Sequence, residues 1–474
     1  MADLKTPSWL QTSFRKLSRG RGDSPESLPR NGEAVSSVIA QNASEVITAT
    51  DRAMRSTTDR LASTLRHHGE ALSPRELRKT FKYLREIIEP KISEVEGGRR
   101  AASLLIWYSK ASPSLRYDCW LLMSEQFMAD PVRAKTAQAK YAAAVGTPEE
   151  AVAEVRLRQS TVSPRRRLLQ RFSVLPEGIR FLVDMRSEML PLLKSDKRLL
   201  ALDAEMEYMF STWFDVGFLE LHRLSWDSPA SLIEKLIQYE AVHDVKSWAD
   251  LKNRLDSDRR CYGFFHPRLP NEPLIFVEVA LLGDIASSIS PLLDETAEAV
   301  ETSKATTAIF YSISNTQLGL KGVSFGDSLI KRVVETLKQE FPKLKTFATL
   351  SPIPGLRNWL QRRDSALVAQ LSELDVQLLD ESSDVRKKLV HYAALYLGRE
   401  MKDGQPIDPV ARFHLGNGAC VENINWAADL STKGIKQSFG LMVNYLYDLR
   451  KLDKHRDLLF QGSVPVSSKV AKLL

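Results

Sequence analysis

A serine on a proline-stiffened turn and a histidine ahead of a glycine turn are the side chains here best suited to acid–base or nucleophilic work. Ser351 opens the run Ser351-Pro352-Ile353-Pro354-Gly355, directly after the apolar stretch Thr346–Leu350. A hydroxyl so placed sits at the end of a strand on a turn with little freedom. Serine before proline also simply begins many turns. His414 follows Phe413 and precedes Leu415-Gly416-Asn417-Gly418, a turn sequence that can aim an imidazole into a cleft. A histidine in that position equally caps a loop. Only eight histidines occur in 474 residues, which singles out one in this setting. Asn417, Asn423 and Asn425 offer amides to orient a bound carbonyl or carboxylate, or serve as turn residues satisfying local backbone.

A third group could hold an anion beside them. Ala308–Ile313 has the aromatic and β-branched content of a buried strand. A polar loop follows with Gly319, Gly322 and Gly326, and then a helix with Leu329, Ile330, Val333, Val334, Leu337 and Phe341 on one face. Lys331, Arg332, Glu335, Lys338 and Glu340 make its solvated face. Strand, glycine loop and helix N-terminus form a seat for phosphate, because glycines admit close backbone approach and first-turn N–H groups face the anion. The loop lacks the Gly-Lys-Ser/Thr ending of a P-loop and the spacing of a dinucleotide fingerprint. An ordinary strand-to-helix turn would look much the same.

These residues need a scaffold. At 474 residues the chain exceeds one typical core, so two domains are expected. Hydrophobic residues at 43% and charged residues at 26% are those of a globular protein. Three cysteines, Cys119, Cys261 and Cys420, argue for a reducing compartment and against a disulfide framework. No apolar run approaches the ~18–20 residues needed to span a bilayer. The net charge of +7 is compatible with a polyanionic ligand, and equally with a generic basic enzyme carrying a basic tail. No basic face interleaved with aromatics speaks for nucleic acid. No HExxH or paired CxxC speaks for a metal.

Residues 1–32, rich in Ser, Arg, Pro and Gly, are expected to be a disordered basic tail. Its acidic residues count against a transit peptide, and the final Lys469–Leu474 lacks a peroxisomal ending, so the expected location is cytoplasmic, in a bacterium. Residues 33–211 are expected to be helical. Ser73-Pro74-Arg75-Glu76 is a capping box, and Leu77, Phe81, Leu84, Ile87 and Ile88 follow at helical spacing. Without pocket chemistry of its own, this half is assigned to oligomerisation, as a dimer or tetramer. Around 271–282 the pattern turns to strand and carries Glu278 inside an apolar run, where a carboxylate must be paired or neutral.

Several long motifs, in order, resemble the malonyl-CoA decarboxylase family. They are Arg260–His266 with EPLIFVEVALL, then FYSISNTQLGLKGVSFGDSLIKRVV, TLSPIPGLRNWL, FHLGNGA, and INWAADLSTKGIKQSFGLMVNYLY. The resemblance covers the C-terminal half and, more loosely, the helical half. It implies an α+β protein, with a helical domain ahead of a GNAT acetyltransferase-like catalytic domain over 212–474. It also implies Ser351 and His414 as catalytic residues and Tyr447 of the Asn-Tyr-x-Tyr motif in the site. The family's CoA loop falls on Lys321, Gly322, Val323, Ser324, Phe325, Gly326 and Asp327, and Asn417 is counted with the substrate contacts. Ser324 departs from the glutamate of the family pattern, and Asp327 either replaces that acid or caps the helix.

The implied chemistry needs no cofactor beyond the CoA of the substrate. A malonyl thioester carries its own electron sink, so loss of CO2 leaves an enolate that needs only oxyanion donors and a proton. Two other functions fit a CoA-binding chain: acyl transfer from CoA to an acceptor, and a non-catalytic acyl-CoA-binding scaffold.

Overall fold

The Ser73 hydroxyl accepts from the Glu76 N–H while the Glu76 carboxylate accepts from the Ser73 N–H, which closes the start of α1 (Pro74–Ile87). Leu77, Leu84 and Ile87 of that helix are fully buried. Further helices continue to Trp213, and those opening after Ser93, Ser112 and Asp130 also carry a side-chain N-cap. In the computed structural model the described residues are 55–323 and 329–474, so the expected N-terminal tail lies outside them. They form two compact units. One comprises the helices up to Trp213 together with Gln317–Val323, and the other holds Phe214–Thr316 and the remainder of the chain.

In the helical unit, Trp120 is buried with its indole N–H donated to Tyr108 Oη at 2.9 Å, and Arg60 pairs with Asp118 at 2.6 Å in the core. Two late helices, α2 (Gly178–Met189) and α3 (Leu200–Trp213), are joined by buried Arg186, whose Nε donates to Asp203 at 2.8 Å. The hairpin of Pro131–Ala144 and Glu150–Thr161 is different. Its only buried residues are Ala144, Ala153 and Ser160, and Val132, Val152 and Val155 are exposed.

The second unit is built on one mixed sheet. Strands β1 (Glu220–Leu224), β2 (Arg259–Phe265), β3 (Pro273–Leu282) and β4 (Thr307–Asn315) run antiparallel in order. The connection through α4 (Leu329–Glu340) is a crossover, so β5 (Thr346–Thr349) lies parallel to β4, with Phe310 opposite Thr349. Short β6 (Ser351–Pro352) follows, and β7 (Met401–Lys402) and β8 (Gln405–Pro406) make a separate ribbon. Helix α5 (Pro409–Gly416) leads into β9 (Cys420–Asn425), and β10 (Met442–Leu446) pairs antiparallel with β5, β6 and β9. Helix α6 (Leu452–Phe460) comes after it. Ile309, Tyr311, Ala348, Leu350 and Met442 form the core on one side of the central strands. The expected order, helical region first and mixed α/β sheet second, is the one observed. No helix among the described residues is long and apolar enough to cross a membrane.

Glu278 sits at a register shift between β3 and β4, fully buried, with Arg254 at 3.1 Å. Burial, and then the Glu240 carboxylate, push its carboxyl up to about 8 against the pull of Arg254. The carboxyl accepts from Arg254 while burial favours its protonated form.

Candidate active site

Strand alternation puts Thr349 and Ser351 on the same side of the chain. Ser351 is buried, and its Oγ donates to Thr349 Oγ1 at 2.8 Å. Thr349 is held from two directions. Its Oγ1 also accepts the Tyr445 N–H at 3.1 Å, and its carbonyl accepts Asn444 Nδ2 at 2.8 Å. Asn444 in turn accepts from Asn425 at 2.7 Å, and Asn425 accepts from Asn423 at 2.6 Å. Asn423 and Asn425 are therefore part of a side-chain amide ladder across β9 and β10 that braces the serine strand.

His414 lies in the last turn of α5, a helix rather than the turn its glycine-rich sequel suggests. Asp408 caps that helix through the Val410 and Ala411 N–H groups, and Pro409 occupies its first turn. The imidazole is brought 3.3 Å from Ser351 Oγ through Nε2, while Nδ1 lies 2.8 Å from Tyr447 Oη. Its ring stacks on Tyr445 at a centroid distance of 4.7 Å. Tyr447 is fixed by its own N–H, which donates to the Phe347 carbonyl at 2.8 Å.

Burial decides the protonation of this group. It pushes His414 down to about 3 and the Tyr447 hydroxyl well above its ordinary value, so both are neutral at physiological pH. A position near a helix C-terminus favours imidazolium, but desolvation outweighs that here. The result is a run of neutral donors and acceptors: Tyr447, His414, Ser351, Thr349. Such a run can stabilise an oxyanion and move a proton without first placing a charge in the protein.

Asn417 caps the end of α5. Its Nδ2 donates to the Phe413 carbonyl at 2.7 Å, and its Oδ1 is buried with no hydrogen-bond partner among the described residues. Lys321, Gly322 and Val323 belong to the helical unit, and Ser324, Phe325, Gly326 and Asp327 lie outside the described residues. The two described glycines of that loop have structural reasons of their own. A Cβ on Gly319 would meet the Val183 carbonyl oxygen at 1.9 Å, and Gly322 has φ +84°. The loop is pinned by Arg186, whose Nη1 donates to the Gly319 and Lys321 carbonyls, each at 2.8 Å. Both positions thus have a conformational reason for glycine in addition to the close approach to phosphate expected from the sequence.

Thr349, Tyr445 and Arg186 escaped the sequence reading. For the first two the signal is the two-residue alternation that places Thr349 beside Ser351 and Tyr445 beside Tyr447. Arg186 carries no local signal.

The Ser351–His414–Tyr447 geometry falls within a recognisable chain. A family model described as the malonyl-CoA decarboxylase C-terminal domain matches residues 217–474, and one described as the N-terminal domain matches residues 127–214. The chain belongs to the malonyl-CoA decarboxylase family. As such it is a carboxy-lyase. It is 39% identical over 336 residues to the mitochondrial malonyl-CoA decarboxylase of Mus musculus, spanning 63% of this chain and 68% of that protein. The crystal structure of malonyl-CoA decarboxylase from Rhodopseudomonas palustris is 40% identical, with a TM-score of 0.75 over 84% of this chain and 99% of that one. The malonyl-CoA decarboxylase from Agrobacterium vitis gives a TM-score of 0.76 at 38% identity, covering 83% of this chain and 99% of that one.

Proposed function

We propose that this chain converts malonyl-CoA to acetyl-CoA and CO2, with Ser351 and His414 stabilising and then protonating the enolate. The observation that carries this is the contact between Ser351 Oγ and His414 Nε2 with Tyr447 on the far ring nitrogen. Tyr447, held un-ionised by burial, donates to Nδ1 and places the ring proton on Nε2, beside Ser351. The C–C bond to the carboxylate breaks, its electron pair moves into the thioester carbonyl, and CO2 leaves. Ser351 and the Nε2–H meet the resulting oxyanion, and each such donor supplies about 2.7–4 kcal/mol. The proton that the α-carbon gains comes through the His414–Tyr447 pair and is replaced from solvent. The thioester is the electron sink, so no cofactor beyond CoA is required.

Lys321–Asp327 is proposed to bind the CoA phosphates, with the first part of the loop held in place by Arg186. The exposed hairpin of residues 131–161, with exposed Val132, Val145, Val152 and Val155, supports assembly of the helical unit with further copies. The test is purified protein with malonyl-CoA, without an acceptor and with a chelator present. Acetyl-CoA and CO2 should appear in equal amounts. An absolute need for an amine acceptor would replace this account with acyl transfer.

A further inference from the structure

Asp408 is 1% exposed, and its two carboxylate oxygens bond to different parts of the chain. Oδ1 accepts the Val410 and Ala411 N–H groups at 2.9 and 3.0 Å, which closes the start of α5, the helix that carries His414. Oδ2 accepts the Tyr396 hydroxyl at 3.2 Å. It also faces Gly355, the last residue of the Ser351-Pro352-Ile353-Pro354-Gly355 turn. A Cβ built on Gly355 would lie 3.6 Å from Oδ2 and would strike the Tyr396 hydroxyl, so the serine turn is seated directly on this pair. Gly355 is the N-cap of the helix Leu356–Arg363, which has no side-chain cap of its own. Burial pushes the Asp408 carboxyl up, and the Ala411, Val410 and Gly355 N–H groups oppose that by bonding its charged form. The Gly355 N–H thus meets a carboxylate as the N-cap N–H does in a capping box. Tyr396 holds the same helix from the side, its ring 5.3 Å from that of Trp359. One buried carboxylate therefore caps two helices, one leading out of the serine turn and one leading to the histidine.

We propose that Asp408 is a positioning residue for the decarboxylation, setting the distance between Ser351 and His414 by joining the starts of both helices at one point. This rests on the reading of Ser351 and His414 as the reacting pair and adds what holds them in register. Pro352 and Pro354 stiffen the turn between Ser351 and Gly355, so a shift at Gly355 is carried to the hydroxyl. The pair stands 3.3 Å apart, at the outer end of hydrogen-bond reach. A misplacement of about 1 Å can cost about 10² in rate. Asp408 itself touches neither reacting side chain and acts only through the backbone that carries them.

The experiment measures kcat and KM for malonyl-CoA in Asp408→Asn and Tyr396→Phe, each made alone and together with Ser351→Ala. Asparagine caps a helix as well as aspartate does, so α5 keeps its start, but an amide donor is set against the Gly355 N–H. Tyr396→Phe deletes the hydroxyl beneath the turn and keeps the ring. With Ser351 present, Asp408→Asn should lower kcat about tenfold and Tyr396→Phe about threefold, with KM within about twofold of the wild type. In the Ser351→Ala background neither change should slow the residual reaction further, because the pair acts as one unit and half of it is gone. A general loosening of the fold costs the same factor in both backgrounds. That result, or a wild-type kcat in Asp408→Asn, overturns the inference and leaves the decarboxylase reading standing. If Asp408→Asn does not fold, Tyr396→Phe decides alone by the same comparison. A Ser351→Ala enzyme as fast as the wild type overturns the reading of the reacting pair itself, and the inference with it.

Discussion

Ser351 Oγ and His414 Nε2 stand 3.3 Å apart although 63 positions separate them in the chain. Two different devices bring them together. The serine is fixed through Thr349 and the amide ladder of β9 and β10, and the histidine by a helix capped at Asp408. The pair is buried, neutral, and bonded outward only through Tyr447 and Thr349 among the contacts described.

The neutrality of His414 has a consequence for pH. With its imidazole pushed down to about 3 by burial, the free enzyme does not titrate there between pH 5 and 8. The pH profile of kcat/KM reports groups of the free enzyme, so it should show no histidine inflection near 6.5. An inflection at that pH in the wild type that vanishes in His414→Gln would contradict this.

Gly319 and Gly322 should respond differently to the same substitution. Gly319→Ala drives a methyl group into the Val183 carbonyl, with a predicted loss of about 2–3 kcal/mol in urea unfolding. Gly322→Ala meets nothing closer than 3.7 Å and carries only the strain of positive φ, about 1–2 kcal/mol. Equal losses, or a larger one at Gly322, would show that the loop is not seated on α2 as described.

Much of this site is legible from local patterns. The β4 run, the α4 stripe and the Ser351 and His414 motifs are all short-range signals. What escapes is pairing between distant segments. Asn444 reaches Thr349 across 95 positions, and Arg186 reaches Gly319 across 133. No periodicity encodes such contacts. Asp408-Pro409 starts a helix that carries His414, while the nearer Gly416-Asn417-Gly418 suggests a turn. The positive φ of Gly322 is likewise absent from the sequence pattern.

Glu278 should make stability fall as pH rises. Its ordinary value is near 4.3, and its folded value is raised to about 8. Between those limits the unfolded chain has lost the proton and the folded chain keeps it, so each pH unit favours unfolding. Glu278→Gln cannot ionise, and Arg254 retains Asp250 at 2.7 Å. The stability of the variant relative to wild type should therefore improve steadily from pH 5 to 8 in denaturant titrations. A constant offset across that range would mean Glu278 is ionised in the fold.

The most direct measurement is the turnover of malonyl-CoA by Ser351→Ala, His414→Asn and the double variant. Each single change should lower kcat by about 10²–10⁴. Residues acting as one unit are non-additive, so the double variant should be little slower than the poorer single one. Multiplicative losses, or near-wild-type turnover in either single variant, would contradict a joint role for Ser351 and His414.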